Sequence, residues 1–129
     1  MPAPRRNAFS YAILRVVPSV ERGERINAGV VLFCRQRGFL DARVALDERR
    51  LAALAPELDA GVVRAHLDGL VRVAEGEPAA GPIAALPQSE RFGWLVAPSS
   101  TVVQPSEVHT GLCDDPAVEL DHLFERLVR

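Results

Sequence analysis

The chain has 129 residues, of which 48% are apolar and 25% charged, and its formal net charge is −2. A chain of this length and balance builds one hydrophobic core, which excludes two separate domains and bulk disorder, and a negative balance argues against a general nucleic-acid-binding protein. We therefore expect one domain over residues 1–129, with residues 1–7 as a flexible N-terminal lead.

The charges are distributed unevenly along the chain. Residues 1–50 contain ten Arg against five acidic residues, whereas residues 51–129 contain five Arg against twelve. All the basic residues are Arg, and the absence of Lys indicates GC-rich coding more than selection for phosphate binding. The asymmetry favours either ion pairing within the molecule or a polar protein partner, and nucleic-acid binding by the basic first half is a further alternative.

Neither a membrane segment nor a metal site is predicted. The longest apolar runs, such as residues 28–34, are far shorter than the roughly 20 residues that cross a bilayer. Arg15 and Pro18 interrupt the apolar start of the chain, which argues against a signal peptide and favours the cytoplasm. Cys34 and Cys113 have no CxxC spacing and no nearby pair of histidines, so we expect inert thiols and no metal or cofactor.

The first part of the chain predicts three strands. Residues 8–17 are rich in aromatic and β-branched side chains, and residues 28–34 form a continuous apolar run that is typical of a strand buried on both faces. Residues 35–38 form a turn that ends in glycine, and residues 39–46 then alternate apolar and polar positions. The second and third strands should therefore form a hairpin.

Helix signals follow the third strand. Asp47 can cap a short helix that runs to about Ala55, and Asp59 can cap a longer, amphipathic helix that runs to about Ala74. Three prolines and two glycines make residues 75–87 an irregular connector.

The last third predicts a second hairpin and a final helix. Residues 92–97 alternate in the manner of a strand, and residues 98–100 would turn the chain into another strand at residues 101–104. Asp115 followed by Pro116 is typical of a helix start. About five strands plus helices predict an α+β fold, with an antiparallel or mixed sheet and helices packed mainly on one face.

Two polar loops are the candidate functional surfaces. Residues 19–27 could bind a phosphate or carboxylate through forked arginine donors, and residues 98–111 gather hydroxyl groups and an imidazole that suit a polar ligand or proton transfer. The alternative for each is a solvated loop held by its own ion pairs and hydrogen bonds. The candidate binding or interaction residues are Arg15, Glu21, Arg22, Glu24, Arg25, Asn27, Ser100, Thr101, Gln104, His109 and Thr110.

Catalytic signatures are weak. A hydrolase would need Ser100 or Ser106 beside His109 and an acid such as Asp114, but the chain has no GxSxG elbow and no glycine pattern for phosphate binding. Trp94 is interpreted as a core or sheet-face anchor rather than a platform for base stacking.

Three stretches together are long enough to be specific: YAILRVVPSVERGERINAGVVLFC at residues 11–34, FLDARVALDERRLAAL at residues 39–54, and residues 91–129, which contain STVVQPSEVHTGL. They resemble the uncharacterised bacterial family catalogued as domain of unknown function 3037, over about the whole chain. The family has a basic residue where Ser99 stands and often a hydrophobic one where Arg25 stands. No activity is assigned to it, but its genes often lie beside kinases similar to HipA, which implies a protein partner.

The leading hypothesis is a non-enzymatic accessory or interaction protein, with a HipA-like kinase as the partner implied by the resemblance. The alternative is a small enzyme or a binder of phosphate or carboxylate ligands, whose pocket would combine Arg22, Glu24, Asn27 and His109. Convergence of those four side chains in one pocket would favour the alternative. The sequence does not indicate an oligomeric state.

Overall fold

The computed structural model describes residues 6–129, which form an antiparallel sheet with helices on both of its faces. Strands β1 to β3 lie side by side in the order β3-β2-β1, and β4 and β5 both pair with the remaining edge of β1. The strands are β1 (Asn7–Val16), β2 (Ile26–Cys34), β3 (Phe39–Val44), β4 (Val103–Pro105) and β5 (His109–Cys113). The helices are α1 (Glu48–Leu54), α2 (Ala60–Glu75), α3 (Gln88–Leu95) and α4 (Pro116–Leu127). The predicted α+β class is confirmed.

Three helices cover one face of the sheet and the fourth covers the other. On the first face, Leu14 and Leu40 pack with Val73 of α2 and Phe92 of α3, and α1 joins the same side through the buried Leu51. On the second face, the inward residues of α4 pack on the other side of β1 and β2; these core residues are Phe9, Val30, Leu32, Cys34, Leu120 and Leu123. Burial on both faces explains why β2 is a continuous apolar run.

The starts of α1, α2 and α4 are those that the sequence predicts. The Asp47 carboxylate accepts a hydrogen bond from the Arg50 amide at 3.1 Å, and the Asp59 carboxylate accepts one from the Gly61 amide at 2.8 Å. Asp115 caps α4 in the same way, by accepting from the Ala117 amide at 2.9 Å. Each cap satisfies an amide that the first helical turn leaves without a backbone partner.

The predicted second hairpin is wrong. Residues 92–97 belong largely to helix α3, because Phe92 and Leu95, three positions apart, are the residues that the fold buries, whereas Trp94 between them is 46% exposed. Trp94 is therefore not a sheet-face anchor. The polar segment that follows leads into β4, which pairs with β1 instead of with a neighbour in sequence.

The connector at residues 75–87 agrees with its prediction, whereas the expected N-terminal lead does not extend to Asn7. The connector at residues 75–87 contains two short 3₁₀ helices, Pro78–Ala80 and Pro82–Ala85, which fits an irregular segment with turns. Residues 1–5 of the expected N-terminal lead lie outside the described residues. Asn7 does not belong to a lead: it is buried at the start of β1, and its side-chain amide donates to the carbonyl oxygens of Cys113 and Asp114, each at 3.3 Å.

Candidate functional site

A β-bulge on β2 lies directly beside Arg15 of β1. Leu14 pairs with Gly29, but the next residue, Arg15, pairs with Asn27, so Ala28 is an extra residue in the ladder. Bulges turn side chains away from their regular direction and are common next to functional sites. Asn27 uses its side-chain amide to donate to the carbonyl oxygen of Leu127, at 3.0 Å, so this part of β2 is fixed to the last turn of α4.

A second irregularity lies on the opposite edge of β1. Three residues, 106–108, lie opposite only two residues of β1, Ala12 and Ile13, where the chain passes from β4 to β5. The Ser106 hydroxyl is buried, accepts a hydrogen bond from the Ile13 amide at 2.8 Å and donates one to the Glu107 carbonyl at 2.8 Å. Ser106 thus replaces a missing rung of the ladder and holds Glu107 in the bulge.

Arg15 lies between the two bulges and has an incomplete set of partners. It pairs across the strands with Asn27 on one side and Gln104 on the other, so the three side chains share the face of the sheet that carries α4. The Nε atom of Arg15 is buried and has no hydrogen-bond partner among the described residues. Burial, followed by the charge of Arg25, lowers the pKa of Arg15, while Glu107 opposes that shift.

Glu107 and His109 complete this face. His109 Nε2 lies 3.5 Å from a carboxylate oxygen of Glu107, and the His109 ring is 5.3 Å from that of Tyr11. The pKa of Glu107 is lowered, first by a hydrogen bond from its own backbone amide. Burial is the next-largest effect and opposes the shift, while Arg15, His109 and Arg25 each add a smaller lowering effect. Glu107 was not among the sequence candidates, and only its position two residues before His109 could have suggested it.

Arg25 is near Arg15 on this face and also near a third arginine, Arg50 of α1. Arg25 and Arg50 line a shallow cleft of about 320 Å³ at the end of the sheet. Within the described part of the chain, neither they nor Arg15 has a carboxylate oxygen within 4.0 Å. We call Arg15, Arg25 and Arg50 the arginine surface. Arg15 and Arg25 of this surface both help to lower the pKa of Glu107.

The pocket of the enzyme alternative does not assemble. Arg22 and Glu24 form an ion pair with each other and line a small cleft of about 70 Å³ against the end of α1. Asn27 instead donates a hydrogen bond to Leu127 of α4. His109 contacts Tyr11, which lies on the face of the sheet that carries α4 and not on the face that carries α1. Glu21 is exposed. The loop at residues 19–27 therefore contributes to two different places.

The loop at residues 98–111 is also divided between the two faces. Thr101 lines a cleft against α2 and α3, on the face opposite to His109. Ser100 and Thr110 are exposed, and Thr110 pairs with Ser10 of β1, so it points away from His109. A Ser-His-Asp arrangement is not formed at the buried Ser106, because its hydroxyl donates its only hydrogen to the Glu107 carbonyl and not to His109.

Residues 6–129 contain neither a metal-binding cluster nor a helix that could span a membrane. No group of three or more His, Cys, Asp or Glu side chains there could hold a metal ion. Cys34 and Cys113 are both buried free thiols. No helix in that range is both long enough and apolar enough to cross a bilayer.

Comparison with known proteins places the chain by family. Neither the curated proteins nor the solved structures contain a match to it. Residues 11–128 match the family described as a protein of unknown function, DUF3037. The match includes Arg15, both bulges and the segment with Glu107 and His109. Because it covers nearly the whole chain, the protein belongs to the DUF3037 family.

Proposed function

We propose that the protein is a non-enzymatic interaction domain whose arginine surface binds an acidic segment of a partner protein. The observation that carries the proposal is the buried, unpartnered Nε of Arg15, beside the two further arginines that have no carboxylate within ion-pairing distance among the described residues. A buried donor without a partner costs about 1–3 kcal/mol, so a ligand that supplies an acceptor there regains that free energy on binding.

The chemistry of an arginine favours a carboxylate as that acceptor. A guanidinium presents its donors in a planar fork that matches the two oxygens of a carboxylate, and such charge-assisted bonds are stronger than neutral ones. Glu107 partly offsets the positive charge of Arg15, which disfavours a polyanion such as nucleic acid and leaves room for one or two carboxylates. An acidic protein segment meets these conditions.

The polar groups near Arg15 support binding more than catalysis. The side chains of His109 and Glu107 are 43% and 72% exposed, so water surrounds this carboxylate–imidazole pair. Catalytic acids and bases work best in a site from which water is excluded. Neither residue lines the cleft of Arg25 and Arg50, that of Arg22 and Glu24, or the one against α2 and α3.

The partner we propose to test is the HipA-like kinase that the family resemblance implies. The two proteins would meet in the cytoplasm, where the sequence leads us to expect this chain. The chain would be co-expressed with the HipA-like kinase of the same genome and isolated by a tag on the kinase. Arg15→Gln keeps a polar side chain of similar length but removes the charge and the fork. Arg72→Gln on the exposed face of α2 removes the same charge elsewhere and is the matched control.

We expect the wild-type chain and Arg72→Gln to co-purify with the kinase, and Arg15→Gln to be lost from the complex. Recovery of all three proteins in equal amounts would contradict the arginine surface as the binding site. Failure of the wild-type chain to co-purify at all would remove the kinase as the partner.

A second candidate function is the binding of a small anion, favoured by the same unpartnered guanidinium of Arg15. Titration of the isolated, isotope-labelled chain with inorganic phosphate and with acetate, followed by NMR, tests it. Saturable shifts at Arg15 and Asn27 at millimolar concentration would favour the small ligand over the protein segment. Shifts that rise linearly without saturation would remove this candidate.

A further inference from the structure

A separate cleft of about 270 Å³ lies on the other face of the sheet, between α2, α3 and β4. Its floor and walls are largely apolar, and its polar side-chain groups are those of His66, the indole N–H of Trp94, and Ser99 and Thr101 in the segment before β4. The apolar residues include Leu14, Leu70, Leu95 and Val103. An apolar cleft with a few polar groups at its edge is the usual form of a small-molecule site.

The two hydroxyl groups at this edge have no hydrogen left to donate. The Thr101 hydroxyl donates to the Val103 carbonyl at 2.8 Å, so the 2.8 Å bond between the two hydroxyls must use the hydrogen of Ser99. Ser99 Oγ also accepts from the Thr101 amide at 3.2 Å. Since a hydroxyl has one hydrogen and two lone pairs, each oxygen keeps one free lone pair. The edge therefore offers hydrogen-bond acceptors.

Trp94 supplies the flat wall of the cleft. It is 46% exposed at the side of α3 that faces this opening, although a large aromatic ring is usually buried. An aromatic ring stacks favourably on another ring, at a gain of about 0.5–1.5 kcal/mol beyond the area that is buried. Since a cavity of about 150 Å³ holds a benzene molecule, this cleft has room for one or two fused rings.

We propose that this cleft binds a small, flat aromatic compound that carries an N–H or O–H donor. The ring stacks on Trp94 and covers the apolar floor, and the donor bonds to the free lone pair of Ser99 or Thr101. The site lies on the face opposite to Arg15 and is independent of the arginine surface. It gives the domain a ligand-binding function in addition to the proposed contact with a protein.

Two probes that differ in one donor test the proposal. Indole has a ring N–H, and 1-methylindole has the same rings without it. Trp94 is the only tryptophan in the chain, so its indole N–H gives one side-chain signal in a ¹H–¹⁵N NMR spectrum of the labelled protein. We expect indole to shift this signal saturably, and 1-methylindole to bind about fivefold more weakly because one neutral hydrogen bond is lost.

Two variants separate the donor effect from the size of the methyl group. In the double variant Ser99→Ala with Thr101→Val, which removes both hydroxyl acceptors, the preference for indole over 1-methylindole should disappear. Ala97→Phe, at the exposed mouth of the cleft, should abolish binding of both probes. The proposal is overturned if neither probe gives saturable shifts, if both bind the wild-type chain equally, or if the double variant keeps the preference.

Discussion

At the scale of single residues, one hydroxyl holds the bulge that forms the candidate site. Ser106 is among the few buried polar residues of the described chain, and both of its hydrogen bonds go to backbone groups of the bulge. The position of Glu107 beside Arg15 follows from this local arrangement. The serine is a positioning residue and does not itself contact a ligand.

Substitution Ser106→Ala tests that role. It leaves the buried amide of Ile13 without its acceptor, so we expect the free energy of unfolding to fall by about 1–3 kcal/mol, as measured by urea denaturation. Ser100→Ala is the matched control, since Ser100 is exposed and a surface change of this kind is usually within about 0.5 kcal/mol. Equal stability of the two variants would contradict the structural role of Ser106.

The buried thiol of Cys113 predicts how stability depends on alkaline pH. Burial, and then the proximity of Cys34, raises the pKa of the Cys113 thiol. A group whose pKa is raised by folding contributes its stability below the ordinary thiol pKa of about 8.5, and this contribution is lost as pH rises, because the unfolded chain loses the proton first.

We therefore expect the free energy of unfolding of the wild-type chain to fall more steeply above pH 8.5 than that of Cys113→Ala. Urea denaturation at several pH values between 7 and 10 gives the two slopes. Identical slopes would show that Cys113 does not carry the effect.

At the scale of the elements, the close approach of β2 and β3 depends on a glycine. A Cβ atom at Gly29 would lie 2.8 Å from the Arg43 carbonyl oxygen and 2.8 Å from a methyl group of Val44. Gly29→Ala should therefore destabilise the protein by about 1–3 kcal/mol. Gly69, in the interior of α2 with nothing within 4 Å of a Cβ, is the matched control.

Gly69→Ala should instead raise stability by about 0.5–1 kcal/mol, because alanine is the better helix former. Thermal melting of the two variants beside the wild-type chain checks both signs. A destabilising effect at Gly69, or a neutral one at Gly29, would contradict the packing described for that element.

The elements also differ in how far the sequence could predict them. Asp47, Asp59 and Asp115 identified three helix starts, because a cap depends on residues only two or three positions away. Residues 92–97 were misassigned, because six residues fit both a strand and a helix, and the packing of Phe92 and Leu95 on the sheet decides between them.

The sequence predicts the candidate site only in part, again because contacts between distant segments decide which residues meet. The candidates that the sequence identifies include Arg15, Arg25, Asn27, Gln104 and His109. Four of these lie in the strands that meet at this face, and Arg25 directly precedes β2. Their grouping depends on strand pairing and on two bulges between distant segments, which polar composition does not specify. The same strand pairing places Arg22 and Thr101 away from these five residues.

At the scale of the whole molecule, the uneven charge of the chain is used partly inside the fold. Arg43 of the basic first half pairs with Asp121 of α4 at 2.9 Å, and Arg6 lies 3.9 Å from Asp114. This is the intramolecular ion pairing that the sequence offered as one of its alternatives. The arginines outside these pairs in the described part of the chain include Arg15, Arg25 and Arg50. The buried, partnerless Nε of Arg15 is why we propose this group as the binding surface.

The central claim is that Arg15 provides the binding free energy for an acidic partner, and calorimetric titration of the purified chain into the purified HipA-like kinase tests it most directly. With Arg15→Gln we expect Kd to rise at least about tenfold, because a charge-assisted hydrogen bond is lost, while Arg72→Gln leaves Kd within about twofold of the wild type. Equal Kd values for the wild-type chain and Arg15→Gln would contradict the account.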